Sequence, residues 1–516
     1  MEWNKSAIAF KNTYGEAGFA AWLDLSSAAD NFEGEQRCRE EWENIKVRSD
    51  DAQRLTIASY VADAKELSWR PDRRNNHGTR SSGVSGSGDS AASKDKSADL
   101  PTSVHPAARA VQLAEDAGDE FWLDQEDKPH VSFTVQLGEG RTTIRNARVG
   151  SSDYKSVLAH RFYESARNKV LSSEHATIAA TLLEYRAKES GVRHFAALRV
   201  GEHNGKVYVD RGTVDGGAIE IDPAGWRQID APPVRFIRGT RGELPVPEAE
   251  GSREDFKRHF NLTDDDLTRL LGFLIGTFNV GASYAMLLTD GPQGAGKSML
   301  NDKAVGLVDP PRQAKSARMS FNPKEEDLHL GAVGVHVPYF DNVSSFSGDA
   351  ADALCRMSTG GGSGRRTLYS NDQYTQVVVT RPVIITCIGS PTSRLDLLSR
   401  SVRITALPLG EKRRTEKAVM RAFETDRPRM IGYLFSCVSA AIRNRSAVEE
   451  AVERGDFQLP RMADFAEFVE GAAEVLGLQR GEFSDLLDRG QTAMQTEAVL
   501  GHPVGAALMI YFSRSG

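Results

Sequence analysis

Cysteine is scarce: only Cys38, Cys355, Cys387 and Cys437 occur in 516 residues, far apart and with no CxxC pair. That argues against structural zinc and against a disulfide framework, and predicts a reducing cytoplasm. Long apolar runs are missing too. No stretch of about 18 uncharged apolar residues exists, so neither a membrane span nor a membrane partner is expected. The opening, MEWNKSAIAFKNTYGEAG, lacks a basic flank, an apolar segment and a cleavage site, which predicts no leader peptide. A strong charge of one sign is also absent. The net charge of −7 leaves nucleic acid open as a partner, because basic residues can line one channel of an acidic protein.

What is present is ordinary globular material, 40% apolar and 26% charged, in a chain long enough for roughly three or four folded units. Residues 1–69 carry Trp3, Phe19, Trp22, Phe32 and Trp42 at spacings that close a small helical core; in TIASYVADAKELSW, Ile57, Tyr60, Val61, Ala64 and Leu67 share one helical face. Residues 70–104 form a Ser/Gly/Arg-rich linker that cannot bury enough surface to order itself. Residues 105–250 alternate as mixed α/β: HVSFTVQL, TTIRNARV, HFAALRV, KVYVDRG, AIEID and VRFIRG predict strands, with Asn204-Gly205 as a turn. Two amphipathic helices interrupt them. Residues 251–410 open with a helix, NLTDDDLTRLLGFLIGTF, for which Thr263 and Asp266 predict a capping box. Residues 411–516 are mostly helical by periodicity.

The 251–410 block holds the chemistry. Gly291-Pro292-Gln293-Gly294-Ala295-Gly296-Lys297-Ser298, followed by Met299, fits G-x-x-x-x-G-K-[ST] between an expected strand, YAMLLTD, and an expected helix. Glycines let backbone amides converge on phosphates, Lys297 would reach the β and γ oxygens of ATP, and Ser298 would ligate Mg²⁺. VGVHVPYFDNVS supplies the second part, an apolar strand ending in Asp341 as the other Mg²⁺ ligand. Its neighbour is Asn342, an amide that orients water but accepts no proton; Glu325, Glu326 and Asp349 are the other acids within reach. RPVIITCIG sets Thr386, or alternatively Ser390, where a γ-phosphate sensor would sit. Arg394, Arg400 and Arg403 lie beyond it, and an arginine there can reach a neighbouring subunit's nucleotide.

In this order the motifs resemble the superfamily 3 helicases, the AAA+ motors of viral, phage and plasmid replication. The segment between Asp341 and Thr386 matches that family's extra motif: Gly360 to Gly364, Arg365-Arg366, Leu368-Tyr369, Asn371-Asp372 and Val377 to Val379. The resemblance implies an AAA+ P-loop core in an α/β multidomain chain, with a collar-like domain over 105–250. It implies a ring, hexameric in the family, with Arg400 of D-x-x-x-R acting on the adjacent subunit. A hairpin carrying Arg365, Arg366, Tyr369 and Tyr374 would meet single-stranded or forked DNA in the pore, by phosphate contacts and stacking. Residues 1–69 resemble the small module at the C-terminal end of phage and plasmid primase-polymerases. No primase catalytic domain precedes it, so a separate primase is the expected partner.

The expected function is therefore ATP hydrolysis coupled to translocation on single-stranded DNA, in replication of a mobile element. The alternative, suggested by Asn342, is an ATP-binding loader or assembly switch that binds DNA without unwinding it.

Overall fold

The computed structural model describes residues 105–501, apart from short breaks at 167, 240, 314–316, 323, 361–362, 367–373, 378, 388–393 and 411–413, together with Gln36, Arg39, Trp42 and Glu43. The chain divides into two units, 1–99 and 100–516. The helical stripe expected over 57–67 and nearly all of the linker lie outside the described residues, and the second unit is the one built up below.

It begins with helix α1 (Pro106–Asp116), strands β1 (Glu120–Leu123), β2 (Pro129–Gln136) and β3 (Thr142–Arg148), and helices α2 (Ser152–Ser165) and α3 (Ser173–Ser190). The strands form one antiparallel sheet. With the helices they enclose a separate core that includes Ala110, Val131, Tyr154, Leu158 and Leu183. The alternation expected for β2 and β3 is there; β1, the four residues EFWL, is too short to show a period.

Strand β4 (Ala196–Ala197) comes next, then β5 (Val200–His203), β6 (Lys206–Asp210), β7 (Ala218–Asp222), β8 (Gly225–Ile229) and β9 (Arg235–Phe236). β5 to β8 make a second antiparallel sheet in sequence order, while β4 pairs with β9. Asn204 and Gly205 carry φ of +53° and +74°, the left-handed pair a two-residue hairpin turn needs. This sheet has no core of its own. Val207, Val209, Ile219 and Ile221 pack into the same cluster as the helices that follow.

Helices α4 (Arg253–His259) and α5 (Asp264–Gly276) lead into the central block. The expected cap on α5 is half formed. Thr263 Oγ1 accepts from the Asp266 amide at 3.1 Å, but the Asp266 carboxylate turns to Arg269, at 2.8 Å, instead of back to Thr263. A nearby cation outcompetes a backbone N–H for that carboxylate.

The block itself runs β10 (Met286–Asp290), α6 (Lys297–Val308), β11 (Arg318–Ser320), α7 (Glu325–Ala332), β12 (Tyr339–Val343), α8 (Gly348–Thr359), β13 (Ser363–Arg366), β14 (Tyr374–Val377), β15 (Val383–Cys387), α9 (Leu395–Leu398) and β16 (Ser401–Thr405). Five strands form a parallel sheet in the order β11-β12-β15-β10-β16. Helices on both faces explain why MLLTD and VIITC are buried at every position. β15 inserts between β10 and β12, so the carboxyl ends of three strands bring Asp290, Thr386 and Asp341 to one edge, where open parallel sheets bind ligands. β13 and β14 form a separate antiparallel hairpin.

The remainder is helical as expected: α10 (Glu416–Glu453), α11 (Ala463–Glu470), α12 (Ala473–Leu476) and α13 (Glu482–Gly501). α10 carries the second antiparallel sheet on its flank. Ser439 Oγ donates to the Asp222 carbonyl at 2.6 Å and Trp226 Nε1 to Ser436 Oγ at 3.2 Å. The result is a multidomain α/β P-loop fold. Among the described residues no helix is long and apolar enough to cross a membrane.

Candidate nucleotide-binding site

The loop from Gly291 to Gly296 joins β10 to α6, and Gly291, Gly294 and Gly296 adopt φ of +133°, +78° and +80°. A Cβ on Gly291 would come within 2.6 Å of the Ala406 carbonyl, so this position has both the wrong backbone and no room for a side chain. Pro292, Gln293 and Gly294 form the exposed crest of the loop, Ala295 tucks beneath it, and Met299 is half-buried in the first turn of α6. Lys297 folds back over the loop, its Nζ donating to the carbonyls of Gly291 at 2.8 Å and Pro292 at 3.1 Å. The lysine and the free amides at the start of α6 thus face the same space, an arrangement suited to anionic phosphates.

Ser298 Oγ donates to Asp341 Oδ1 at 3.0 Å, which joins the loop to β12. A hydroxyl and a carboxylate side by side are hard oxygen donors of the kind Mg²⁺ takes while keeping water and phosphate oxygens as its other ligands. Both expected ligands therefore fit the ion. Among the described residues no cluster of three or more His, Cys, Asp or Glu side chains offers a rival metal site.

The strand carrying Asp341 is irregular at this point. Phe340 lies opposite Ile385 and Val343 opposite Cys387, so β12 has one residue more than β15 between the two pairs. Asn342, exposed and with φ of +58°, lies in this bulge. Bulges re-aim a neighbouring side chain. A left-handed backbone also favours asparagine over the longer glutamate, which gives the amide beside Asp341 a conformational reason.

Thr386 comes to the site but not to its surface. It is 3% exposed, faces Thr289 across the sheet, and bonds to Asn301 Nδ2 at 2.9 Å and the Tyr339 hydroxyl at 3.0 Å. Tyr339 also bonds to Asp341 Oδ1 at 2.9 Å. Neither Tyr339 nor Asn301 is marked by a motif. A period of two along β12 puts Tyr339 on the same face as Asp341, and that was the available signal. On the far side of Asp341, Arg318 Nη1 stands 3.9 Å from Oδ2 while its Nε holds Asp302 at 3.0 Å.

The three arginines differ in their engagements. Arg403 Nε bonds to Asp290 Oδ2 at 2.9 Å, and its guanidinium also holds Glu497, so it belongs to the sheet edge of its own subunit. Arg394 is paired with Asp352 and Asp396. Arg400 Nη1 donates only to a backbone oxygen, that of Asp396, at 2.8 Å. In the hairpin, Arg366 lies opposite Tyr374 and Arg365 opposite Thr375 in backbone register. Tyr369 and Ser390 lie outside the described residues, as do the side chains of Glu325 and Glu326. Asp349 is exposed in the first turn of α8.

A parallel sheet with a glycine-lysine-serine loop leading into a helix, and an acid on a nearby strand, defines the P-loop nucleotide-binding class. Within it, residues 258–487 match the family model described as actinomycete integrative conjugative element replication protein. Residues 1–64 match the primase C terminal 2 model. Both matches bear out the resemblance to mobile-element replication proteins with a primase C-terminal-like module. No curated protein matches. Among solved structures, the chain is 12% identical to a protein titled SCCmec type IV Cch, active helicase, at a TM-score of 0.40 over 77% of each chain. It is also 12% identical to the NrS-1 C-terminal region, at 0.34 over 76% of this chain and 96% of that one. To JCV helicase it is 11% identical, at 0.21 over 42% and 67%.

Proposed function

We propose that the protein is an ATP-dependent DNA helicase that assembles as a ring, hexameric by resemblance, and replicates an integrative mobile element from the cytoplasm. The observation that carries this reading is the Ser298–Asp341 contact of 3.0 Å at the mouth of the glycine loop, beneath Lys297. Lys297 and the loop amides would bind the β and γ phosphates, and Ser298 and Asp341 would hold Mg²⁺. The ion, when bound, neutralises phosphate charge and orients the oxygens for in-line attack by water. Arg400, free of a carboxylate partner among the described residues, is the arginine that would reach the neighbouring subunit's nucleotide. The β13–β14 hairpin, with Arg365 and Arg366, would contact single-stranded or forked DNA, and primer synthesis would fall to a separate primase. Asn342 favours a second reading, a loader or switch that binds ATP and DNA with little turnover, because an amide takes no proton from water.

The two readings separate in steady-state ATP hydrolysis with and without single-stranded DNA. The helicase reading expects DNA to stimulate turnover several-fold, Lys297→Ala to abolish it, and Arg365→Ala/Arg366→Ala to remove only the stimulation. ATP binding with negligible turnover on any DNA would move the assignment to the switch.

A further inference from the structure

The buried side chains behind the site form one directed chain of hydrogen bonds. Thr289 Oγ1 donates to Asn301 Oδ1 at 2.9 Å, and Asn301 Nδ2 donates to Thr386 Oγ1 at 2.9 Å. The Tyr339 hydroxyl then stands 3.0 Å from Thr386 Oγ1 and 2.9 Å from Asp341 Oδ1. Donor and acceptor roles follow from chemistry. An ionised carboxylate only accepts, so the Tyr339 proton goes to Asp341. The Tyr339 oxygen must then accept, and the only proton Thr386 has goes to it. Burial pushes the Tyr339 phenol above its ordinary range, so it keeps the proton it donates. Thr386, 3% exposed and with its one proton already placed, has nothing left with which to grip a phosphate.

We infer that Tyr339 is a positioning residue that orients the Asp341 carboxylate for the metal–nucleotide complex, and that Thr386 acts on the nucleotide only through Tyr339. This rests on the nucleotide-site reading above. Ser298 also touches Asp341, but it is itself an expected metal ligand, which leaves Tyr339 as the partner of Asp341 outside the ligand set. Asn301, buried on α6 one turn beyond Lys297, ties the same chain to the helix that follows the glycine loop. A change at Asp341 therefore has a bonded route to that helix through three neutral side chains.

The test uses the full chain with Tyr339→Phe, Thr386→Val, Thr386→Ser and the Phe/Val double variant. Two readouts are taken: affinity for a fluorescent non-hydrolysable ATP analogue with and without Mg²⁺, and the Mg²⁺ concentration giving half-maximal turnover. Tyr339→Phe removes one oxygen and keeps the packed ring. Without Mg²⁺ its analogue affinity stays within about twofold of wild type, while its Mg²⁺ requirement rises about tenfold, the scale of a lost hydrogen bond to a charged group. Thr386→Val moves the same way by less, Thr386→Ser stays near wild type, and the double variant is no worse than Tyr339→Phe alone.

The inference is overturned if Tyr339→Phe leaves the Mg²⁺ requirement unchanged, or if the two effects multiply. It is also overturned if Thr386→Val loses Mg²⁺-free affinity that Tyr339→Phe keeps, since Thr386 would then touch phosphate directly. Should Tyr339→Phe not fold, the contrast between Val and Ser at 386 decides. Failure of the underlying reading looks different: wild type itself then shows no Mg²⁺-dependent binding of the analogue, or Lys297→Ala binds it as wild type does.

Discussion

Helix α6 meets a polar network at each end. At its start are hydroxyls and an amide, Ser298, Asn301, Thr289, Thr386 and Tyr339, converging on the single carboxylate of Asp341. At its finish the capping residue Asp309, 1% exposed, is held by ions. Arg199 Nε lies 3.1 Å from Oδ1, Arg241 Nε 3.1 Å from Oδ2, and the amides of His336 and Val337 donate to Oδ2 at 2.9 and 3.2 Å. Arg199 also donates to the carbonyls of Asp210 at 2.7 Å and Gly242 at 2.8 Å, so this end fastens the second antiparallel sheet to the central block. The difference is one of exchangeability. Neutral partners can trade one hydrogen bond for another as a ligand arrives, whereas removing one member of a buried ionic cluster strands the others. One end of the helix is built to respond and the other to stay.

The largest effect should come from breaking the ionic end. Asp309→Ala leaves two guanidiniums buried without their counter-charge and is expected to cost about 3–5 kcal/mol. Asn301→Ala, which orphans two hydroxyls at the other end, should cost only about 1–3 kcal/mol. Denaturant unfolding of the two variants beside wild type measures both. Equal costs would show that the two ends are held alike.

Acid sharpens the contrast next. His336 is buried between the two sheets, its Nε2 bonded to the Thr277 carbonyl at 2.9 Å. Burial pushes its pKa down to about 4 from an ordinary 6.5, against the pull of Asp309. Between those values the unfolded chain binds a proton that the folded chain refuses. This contribution is therefore complete above pH 6.5 and is lost as pH falls towards 4, amounting to about 3 kcal/mol. Burial also pushes the Asp309 carboxyl up, but Arg199 and Arg241 outweigh it and hold it below its usual range, so Asp309 adds to the same loss at still lower pH. Stability measured from pH 7 to 4 should fall in wild type, and His336→Gln should flatten the part above Asp309's range. An unchanged slope in the variant would remove His336 from the account.

These two ends were not equally legible in the sequence. The glycine loop, Lys297 and Ser298 lie within eight residues, and the chemistry of phosphate binding imposes their spacing, so they can be found without the fold. Asp341 follows from a strand pattern and Asn204-Gly205 from turn chemistry. The ionic end draws on Arg199, Arg241, Asp309 and His336, residues up to 137 positions apart (336 − 199). Only strand order and register bring them together, and neither is local. The same applies to Trp226 and Ser436, whose contact puts part of a stretch expected as its own domain onto the C-terminal helix α10. Tyr339 and Asn301 fall between these cases. They are close in sequence to known site residues, yet a buried tyrosine and a helical asparagine look like core until their partners are seen.

The smallest effect concerns the one residue at the responsive end whose identity the backbone itself explains. Asn342, in the bulge after Asp341, has φ of +58°. Glycine reaches that region freely, and asparagine visits it at modest expense, while a plain L side chain costs about 1–2 kcal/mol. Asn342→Ala should accordingly lose about 1 kcal/mol in denaturant unfolding, and Asn342→Gly only a few tenths. The pair also separates two roles for the amide. Glycine keeps the bulge that aims Asp341 and removes the group that orients water, so Mg²⁺-dependent binding of an ATP analogue should survive in Asn342→Gly and weaken in Asn342→Ala. If both variants bind alike and unfold alike, the left-handed turn is not what selects asparagine here, and its presence beside Asp341 would have to be explained by its amide chemistry alone.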